Sequence, residues 1–174
     1  MKVFLILLLV GIVFVSGCSS GKVISDVNNV KTGINVGDNA PKFSVTSIDG
    51  KEIKLSELTK NKRPLVLYFF AAWCPFCTEE LKNLKSVYPD FSSKVDFVAV
   101  DLDLAENLEV IKNYRDKRGY FGDFAPGNRQ ILSDYGVSYT TTKYAINRNG
   151  IILYKASGIL SDDNWRTLFS ELSK

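Results

Sequence analysis

From residue 37 onward the chain alternates, runs apolar, and then shifts to helical spacing, with turn residues marking each change. "FSVTSIDGKEIKL" alternates on both sides of Asp49-Gly50, a strong short-range signal for a β-hairpin. "SELTK" supplies a single helical turn. "PLVLYFF", Pro64 to Phe70, is unbroken apolar and rich in aromatic residues and Val, the pattern of a strand buried on both faces. In "TEELKNLKSVY", Leu81, Leu84, Val87 and Tyr88 recur at the spacing of one helix face. "VDFVAVDL", Val95 to Leu102, predicts a second buried strand, and "AENLEVIKNYRDKRG" a helix stopped by Gly119. "GNRQILSDYG" predicts a shorter helix, "TKYAINRNGIILYKASG" a hairpin turning at Asn149-Gly150, and "SDDNWRTLFSELSK" a terminal helix capped by Ser161 or Asp162. The connecting "RGYFGDFAPGN", Arg118 to Asn128, reads either as packed aromatics or as a lip for a substrate.

After the first hairpin the order is βαβα, a short helix, then ββα. Two strands joined by a helix form a parallel pair with a right-handed crossover, and the closing hairpin adds antiparallel strands. The expected fold class is α/β: a mixed sheet of roughly five to seven strands, flanked by helices, with an extra N-terminal β-hairpin.

The start of the chain has a different pattern. Lys2 precedes "VFLILLLVGIVFV", Val3 to Val15, an apolar run too short for a spanning helix of about 20 residues and suited to the core of a secretory signal. "VSGC", Val15 to Cys18, resembles the lipobox of bacterial lipoproteins. That resemblance implies a signal peptide at 1–17, cleavage before Cys18 and lipid on the Cys18 sulfur. Residues 18–36 are then the lipidated cysteine and a polar, flexible tether, and 37–174 the folded domain. A protein held on the cell membrane in this way faces the extracytoplasmic side, where the surroundings are oxidising.

Composition narrows the chemistry. The 174 residues include 22 Lys and Arg against 19 Asp and Glu, a formal net charge of +3, and no basic block stands out. Nucleic acid is therefore not an expected partner. There is no histidine, which removes imidazole metal ligands and every His-based acid, base or triad.

Of three cysteines, two fall in the folded region, in "YFFAAWCPFCTEEL". Cys74 lies where a strand gives way to a helix, and Pro75 suits the first helical position. There the helix N-terminus favours a thiolate. Cys77 follows one turn later and more inside, at a spacing that closes a tight disulfide. Trp73 and Phe76 give an exposed Cys74 sulfur an apolar rim. A redox couple needs this asymmetry of an accessible attacking thiol and a protected resolving one.

"AAWCPFC" after an apolar strand resembles the thioredoxin-like active site. With "VGDNAPKF" before it and "YGV…INRNG" after, the chain over roughly residues 36–172 resembles the TlpA/ResA branch of thiol–disulfide oxidoreductases, related to AhpC/TSA proteins. The resemblance implies a thioredoxin fold with an N-terminal hairpin, Cys74 as nucleophile, Cys77 as resolving thiol and no bound cofactor. It also implies protein disulfides as substrates and a transmembrane thiol carrier of the CcdA/DsbD type as the source of electrons. Glu80 matches a glutamate that ResA-like proteins carry near the active site; its other reading is a solvated carboxylate on the helix face. Tyr68 stands where cytoplasmic thioredoxins carry a buried aspartate.

One departure is plain. The family has a cis proline facing the cysteines, in a Thr-Pro-Thr loop. This chain reads "YTTTKY", with Thr141 in the place of the proline and Thr140 and Thr142 on either side. A cis bond before threonine costs about 2.5–4 kcal/mol, so either a trans bond or a strained cis one is expected. The loop also offers hydroxyl groups beside Cys74 that proline cannot.

Other chemistries fit less well. A structural zinc site usually needs four Cys or His ligands, more than the folded region holds. A Cu(I) carrier is the main alternative, because two thiolates suit a soft ion of low coordination. A peroxiredoxin needs Pro-x-x-x-Thr-x-x-Cys. Counting back from Cys77 gives Phe70 and Cys74 at the Pro and Thr positions, and from Cys74 gives Leu67 and Ala71. A purely structural disulfide of this span stabilises little.

Overall fold

A computed structural model describes residues 30–174. The signal segment, Cys18 and most of the tether lie outside the described residues. Residues 30–36, expected to belong to the tether, are bonded to the domain. Gly33 N–H donates to the Asn39 carbonyl at 3.0 Å, Asn39 N–H donates to that of Lys31 at 2.9 Å, and Ile34 packs against the core.

The first hairpin pairs β1 (Ser44–Thr46) with β2 (Glu52–Lys54) as a separate two-stranded sheet. Its turn uses Gly50 at φ 80°, a left-handed conformation that glycine adopts without a Cβ clash. Helix α1 (Leu55–Lys60) follows. The central sheet has five strands: β3 (Leu65–Phe70), β4 (Asp96–Asp101), β5 (Asp123–Pro126), β6 (Thr142–Ile146) and β7 (Ile152–Ala156). Their order is β5-β4-β3-β6-β7. β3, β4 and β5 are parallel, while β6 and β7 form the antiparallel side.

The fold class and the hairpin are as expected. Strand β5 is the difference: "RGYFGDFAPGN" holds a parallel edge strand as well as packed aromatics. Phe124 lies in the core with its ring 5.3 Å from that of Phe70 and 6.4 Å from that of Tyr120. Proline at the strand's end is tolerated because a ladder bond is lost only at the edge.

Every residue of β3 is buried, and the alternation of a strand sends its side chains to two cores. Val66, Tyr68 and Phe70 meet α2 (Pro75–Val87), α3 (Leu108–Arg118) and α5 (Asp162–Leu172) through Leu81, Leu84, Ile111, Trp165 and Phe169. Leu65, Leu67 and Phe69 meet the hairpin, α1 and α4 (Arg129–Asp134) through Val45, Ile53, Leu55 and Ile131. Each large apolar side chain removed from water contributes about 1.5–3 kcal/mol, so β3 is held from both sides. Its C-terminal end delivers the chain rigidly to the first cysteine. Among the described residues no helix is long and apolar enough to cross a membrane.

Candidate active site

Strand β3 ends at Phe70, and a short turn leads to Cys74, the N-cap of α2. Cys74 N–H donates to the Ala71 carbonyl at 3.1 Å, and Pro75 takes the first helical position. The Cys74 sulfur in turn accepts the Cys77 N–H at 3.4 Å, capping the helix as a serine would. Both cysteines are free thiols.

The two thiols differ as a redox couple requires. Burial by itself pushes Cys74 up, but the Thr140 hydroxyl and the N–H groups of Cys77 and Phe76 outweigh it and bring the thiol below its ordinary value. Cys77 is wholly enclosed, and burial pushes it up to about 11 despite an N–H from Ala71. The accessible sulfur expected at Cys74 is not open, because Cys74 is only 2% exposed. The exposed groups around it are Trp73 at 63% and Phe76 at 61%, so the apolar rim is present and the sulfur lies beneath it.

Thr140 covers the sulfur from the far side of the site. The Cys74 thiol donates to Thr140 Oγ1 at 3.2 Å. When the thiol ionises this bond reverses, and the hydroxyl donates to the thiolate. The loop holding Thr140 resolves the question raised by the missing proline. No cis peptide bond occurs among the described residues, and Thr141 instead adopts φ 62°. A β-branched residue in that left-handed region is strained by about 1–2 kcal/mol. Its own side chain helps to hold it, since Thr141 Oγ1 accepts the Gly158 N–H at 2.9 Å.

Behind Cys77 lies a polar group enclosed in the apolar core. Glu80 is fully buried, so it is not a solvated helix-face carboxylate. Its Oε1 accepts Lys143 Nζ at 2.7 Å and the Leu160 N–H at 3.0 Å, while Oε2 has no partner among the described residues. Burial pushes the carboxyl up, against the pull of Lys143 and Leu160. Tyr68 is also fully buried, and burial raises its phenol strongly, with Glu80 and Cys77 adding to the shift. Its hydroxyl forms no well-aligned hydrogen bond but lies against both groups. Lys143 escaped the sequence reading. In the structure β6 is buried at every position and its register sets Lys143 opposite Tyr68, neither of which a lysine within a strand announces. For Glu80 a signal was present, since the spacing Cys77, Glu80, Leu84 and Val87 puts it on the inner stripe of α2.

A second acidic group braces the turn from the outside. Ala72 N–H donates to Glu106 Oε2 at 2.9 Å and Trp73 Nε1 to Asp103 Oδ2 at 2.8 Å. Asp101, buried at the end of β4, accepts the Asp103 N–H at 2.9 Å. Burial and the neighbouring Glu106 carboxylate push its carboxyl up to about 8. Sequence reasoning missed this brace, because it joins loops about 30 residues apart through side chains with no pattern of their own.

Among the described residues, no cluster of three or more Cys, Asp or Glu side chains is arranged to hold a metal ion. The arrangement is suited to thiol chemistry: a thiolate at a helix N-terminus, an enclosed second thiol one turn on, and a buried carboxylate and phenol behind it.

Known proteins are similar to the chain along most of its length. The AhpC/TSA family profile matches residues 36–155. The thiol-disulfide oxidoreductase ResA of Bacillus subtilis (strain 168) is 30% identical over 155 residues, covering 87% of this chain and 84% of that protein. ResA of Bacillus anthracis is 29% identical over 130 residues, covering 74% and 73%. Among solved structures, a thioredoxin-family thiol:disulfide interchange protein from Chlorobium tepidum TLS superposes with a TM-score of 0.70 at 22% identity, covering 78% of this chain and 96% of that one. StoA from Bacillus subtilis gives 0.64 at 21% identity, covering 74% and 96%.

Proposed function

From a chain that belongs to the AhpC/TSA family, in its thioredoxin-like TlpA/ResA branch, we propose a thiol–disulfide oxidoreductase that reduces disulfides of exported proteins. The observation that carries the reading is the opposed tuning of the two thiols, with Cys74 brought down at the helix N-terminus and Cys77 raised to about 11 inside it. The attacking sulfur is thereby ionised selectively, and the resolving sulfur is kept from competing for substrate.

The reaction runs in two displacements. The Cys74 thiolate attacks one sulfur of a substrate disulfide, the S–S bond breaks, and the other substrate sulfur leaves as a thiolate. Cys77 then gives up its proton and attacks the Cys74 sulfur. The bond to the substrate breaks, the second substrate sulfur leaves with its electron pair, and a Cys74–Cys77 disulfide remains. About 10⁻⁴ of a thiol with that pKa is ionised at neutral pH, so the release step needs a base. Glu80, whose Oε2 is free, is a buried acceptor linked to Cys77 by the Tyr68 hydroxyl. Trp73, Phe76 and the exposed Tyr139 give an incoming peptide an apolar landing surface.

On this reading the protein is lipid-anchored through Cys18 on the extracytoplasmic face of the cell membrane. A transmembrane thiol carrier of the CcdA/DsbD type returns it to the dithiol form. Trapping tests the assignment. Cys77→Ser accumulates mixed disulfides with substrate proteins on the membrane, and Cys74→Ser accumulates none and loses exchange. Full exchange by the Cys74→Ser variant would contradict it.

A further inference from the structure

Lys143 is the one charged side chain of β6, and it is fully buried. Its ammonium donates to Glu80 Oε1 at 2.7 Å and to the Gly158 carbonyl at 2.6 Å, and it stands 5.8 Å from the ring centre of Tyr68 and 5.9 Å from that of Trp165. A buried ion pair is a poor source of stability, since desolvation of both charges offsets most of their attraction and apolar replacements of equal volume are often neutral or better. Stability alone therefore does not account for a lysine in this core. The bonding of Glu80 suggests what does. Lys143 and the Leu160 N–H occupy Oε1 and leave Oε2 bare, and the Tyr68 hydroxyl lies against both Glu80 and Cys77.

Building on the dithiol exchange set out above, we propose that Lys143 is a positioning residue that keeps Glu80 an oriented carboxylate, ready to take the proton Cys77 loses in the release step. Glu80 sits in a core where an isolated carboxyl stays protonated, and a protonated carboxyl cannot act as the base. The ammonium opposes that preference, and its hydrogen bond to Oε1 leaves Oε2 as the free oxygen. The proton passes from Cys77 through the Tyr68 hydroxyl to Glu80, and afterwards goes to the departing substrate thiolate. Around the pair, Tyr68 from β3, Lys143 from β6 and Tyr154 from β7 face Glu80, Cys77 from α2 faces Tyr68, and the indole of Trp165 from α5 faces Lys143. Lys143 is the cation among them. Gly158 ties the device to the active-site loop, because its carbonyl accepts from Lys143 while its N–H donates to Thr141.

The test follows the two displacements separately with dithiobis(nitrobenzoate), whose aromatic thiolate is coloured. Reduced full-length chain in detergent, carrying Cys18→Ser so that only Cys74 and Cys77 report, releases one thionitrobenzoate when Cys74 attacks and a second when Cys77 resolves. Lys143→Met leaves the first phase in place and slows the second by about tenfold or more at neutral pH, with the loss recovered as pH rises. Glu80→Gln slows the second phase similarly, and adding Lys143→Met to it has no further effect. The double variant removes both charges of the buried pair together, so neither is left unpaired in the core. An unchanged pH profile of the second phase in Lys143→Met would overturn the proposal, as would an equal loss of both phases or a further loss in the double variant. Absence of a second phase from the chain carrying only Cys18→Ser would overturn the dithiol reading itself.

Discussion

Replacing Thr140 by Val removes one hydroxyl and keeps the shape of the side chain. The structure places that hydroxyl 3.2 Å from the Cys74 sulfur, where it accepts from the thiol and donates to the thiolate. Only the second arrangement is charge-assisted, so the hydroxyl favours ionisation. A hydrogen bond to a charged group contributes about 1.5–3 kcal/mol, and 1.36 kcal/mol corresponds to one pKa unit. Thr140 is partly exposed, and water replaces some of what is lost. The expected shift is therefore upward by about one unit. Below its pKa the thiolate fraction falls about tenfold, but a more basic thiolate is a better nucleophile, which returns about a factor of three. Attack on a disulfide at neutral pH should slow about three- to fourfold. The pKa is read from the pH dependence of carbamidomethylation of Cys74, followed by mass. Thr140→Ser keeps the hydroxyl and serves as the control, with a pKa close to the parent. If Thr140→Val leaves the pKa unchanged or lowers it, the hydroxyl is not what offsets the burial of Cys74.

The site makes other outcomes measurable. Limited alkylation of the reduced protein at neutral pH should modify Cys74 and spare Cys77, since the latter's pKa is about 11; equal labelling would contradict their different surroundings. Thr141→Pro cannot be accommodated at φ 62°, because proline fixes φ near −65°, so the loop must rearrange. The variant should lose the contact of Thr140 with Cys74 and show a raised Cys74 pKa in the same alkylation assay. Asp101 has a folded pKa raised from 3.8 to about 8, so its contribution to stability is full below pH 3.8 and is lost as pH rises through 8. Urea melts across that window should show a decline that Asp101→Asn removes, and an unchanged decline would place its origin elsewhere.

The architecture was largely written in local patterns. The all-apolar run of β3, the two Asx-Gly turns and the spacing of Leu81, Leu84 and Val87 each determine their element through neighbours in sequence. Cys74 and Cys77 were legible for the same reason, being placed by a strand, a proline and one helical turn. Strand β5 was not, because it is four residues long with only Phe124 and Ala125 buried, too short for alternation to register. Lys143 was illegible as a site residue for a different reason. A lysine inside a strand reads as a solvent-facing position until its partner is known, and that partner lies on α2, 63 residues earlier. Thr141 was identified as a departure from the sequence alone. Its left-handed backbone depends on bonds to the Gly158 segment that no local pattern encodes.

The central claim is that Cys74 and Cys77 form a reversible redox couple, and a redox titration tests it most directly. The reduced protein is equilibrated in dithiol/disulfide buffers of defined potential, the free thiols are alkylated and counted by mass, and copper is measured in the same samples. The account predicts one two-electron transition involving only Cys74 and Cys77, at a low potential near the roughly −270 mV of thioredoxin. A couple near −120 mV would contradict the reductase reading and make the protein an oxidant of secreted thiols. No reversible transition, with copper retained by the two thiols, would contradict the account as a whole.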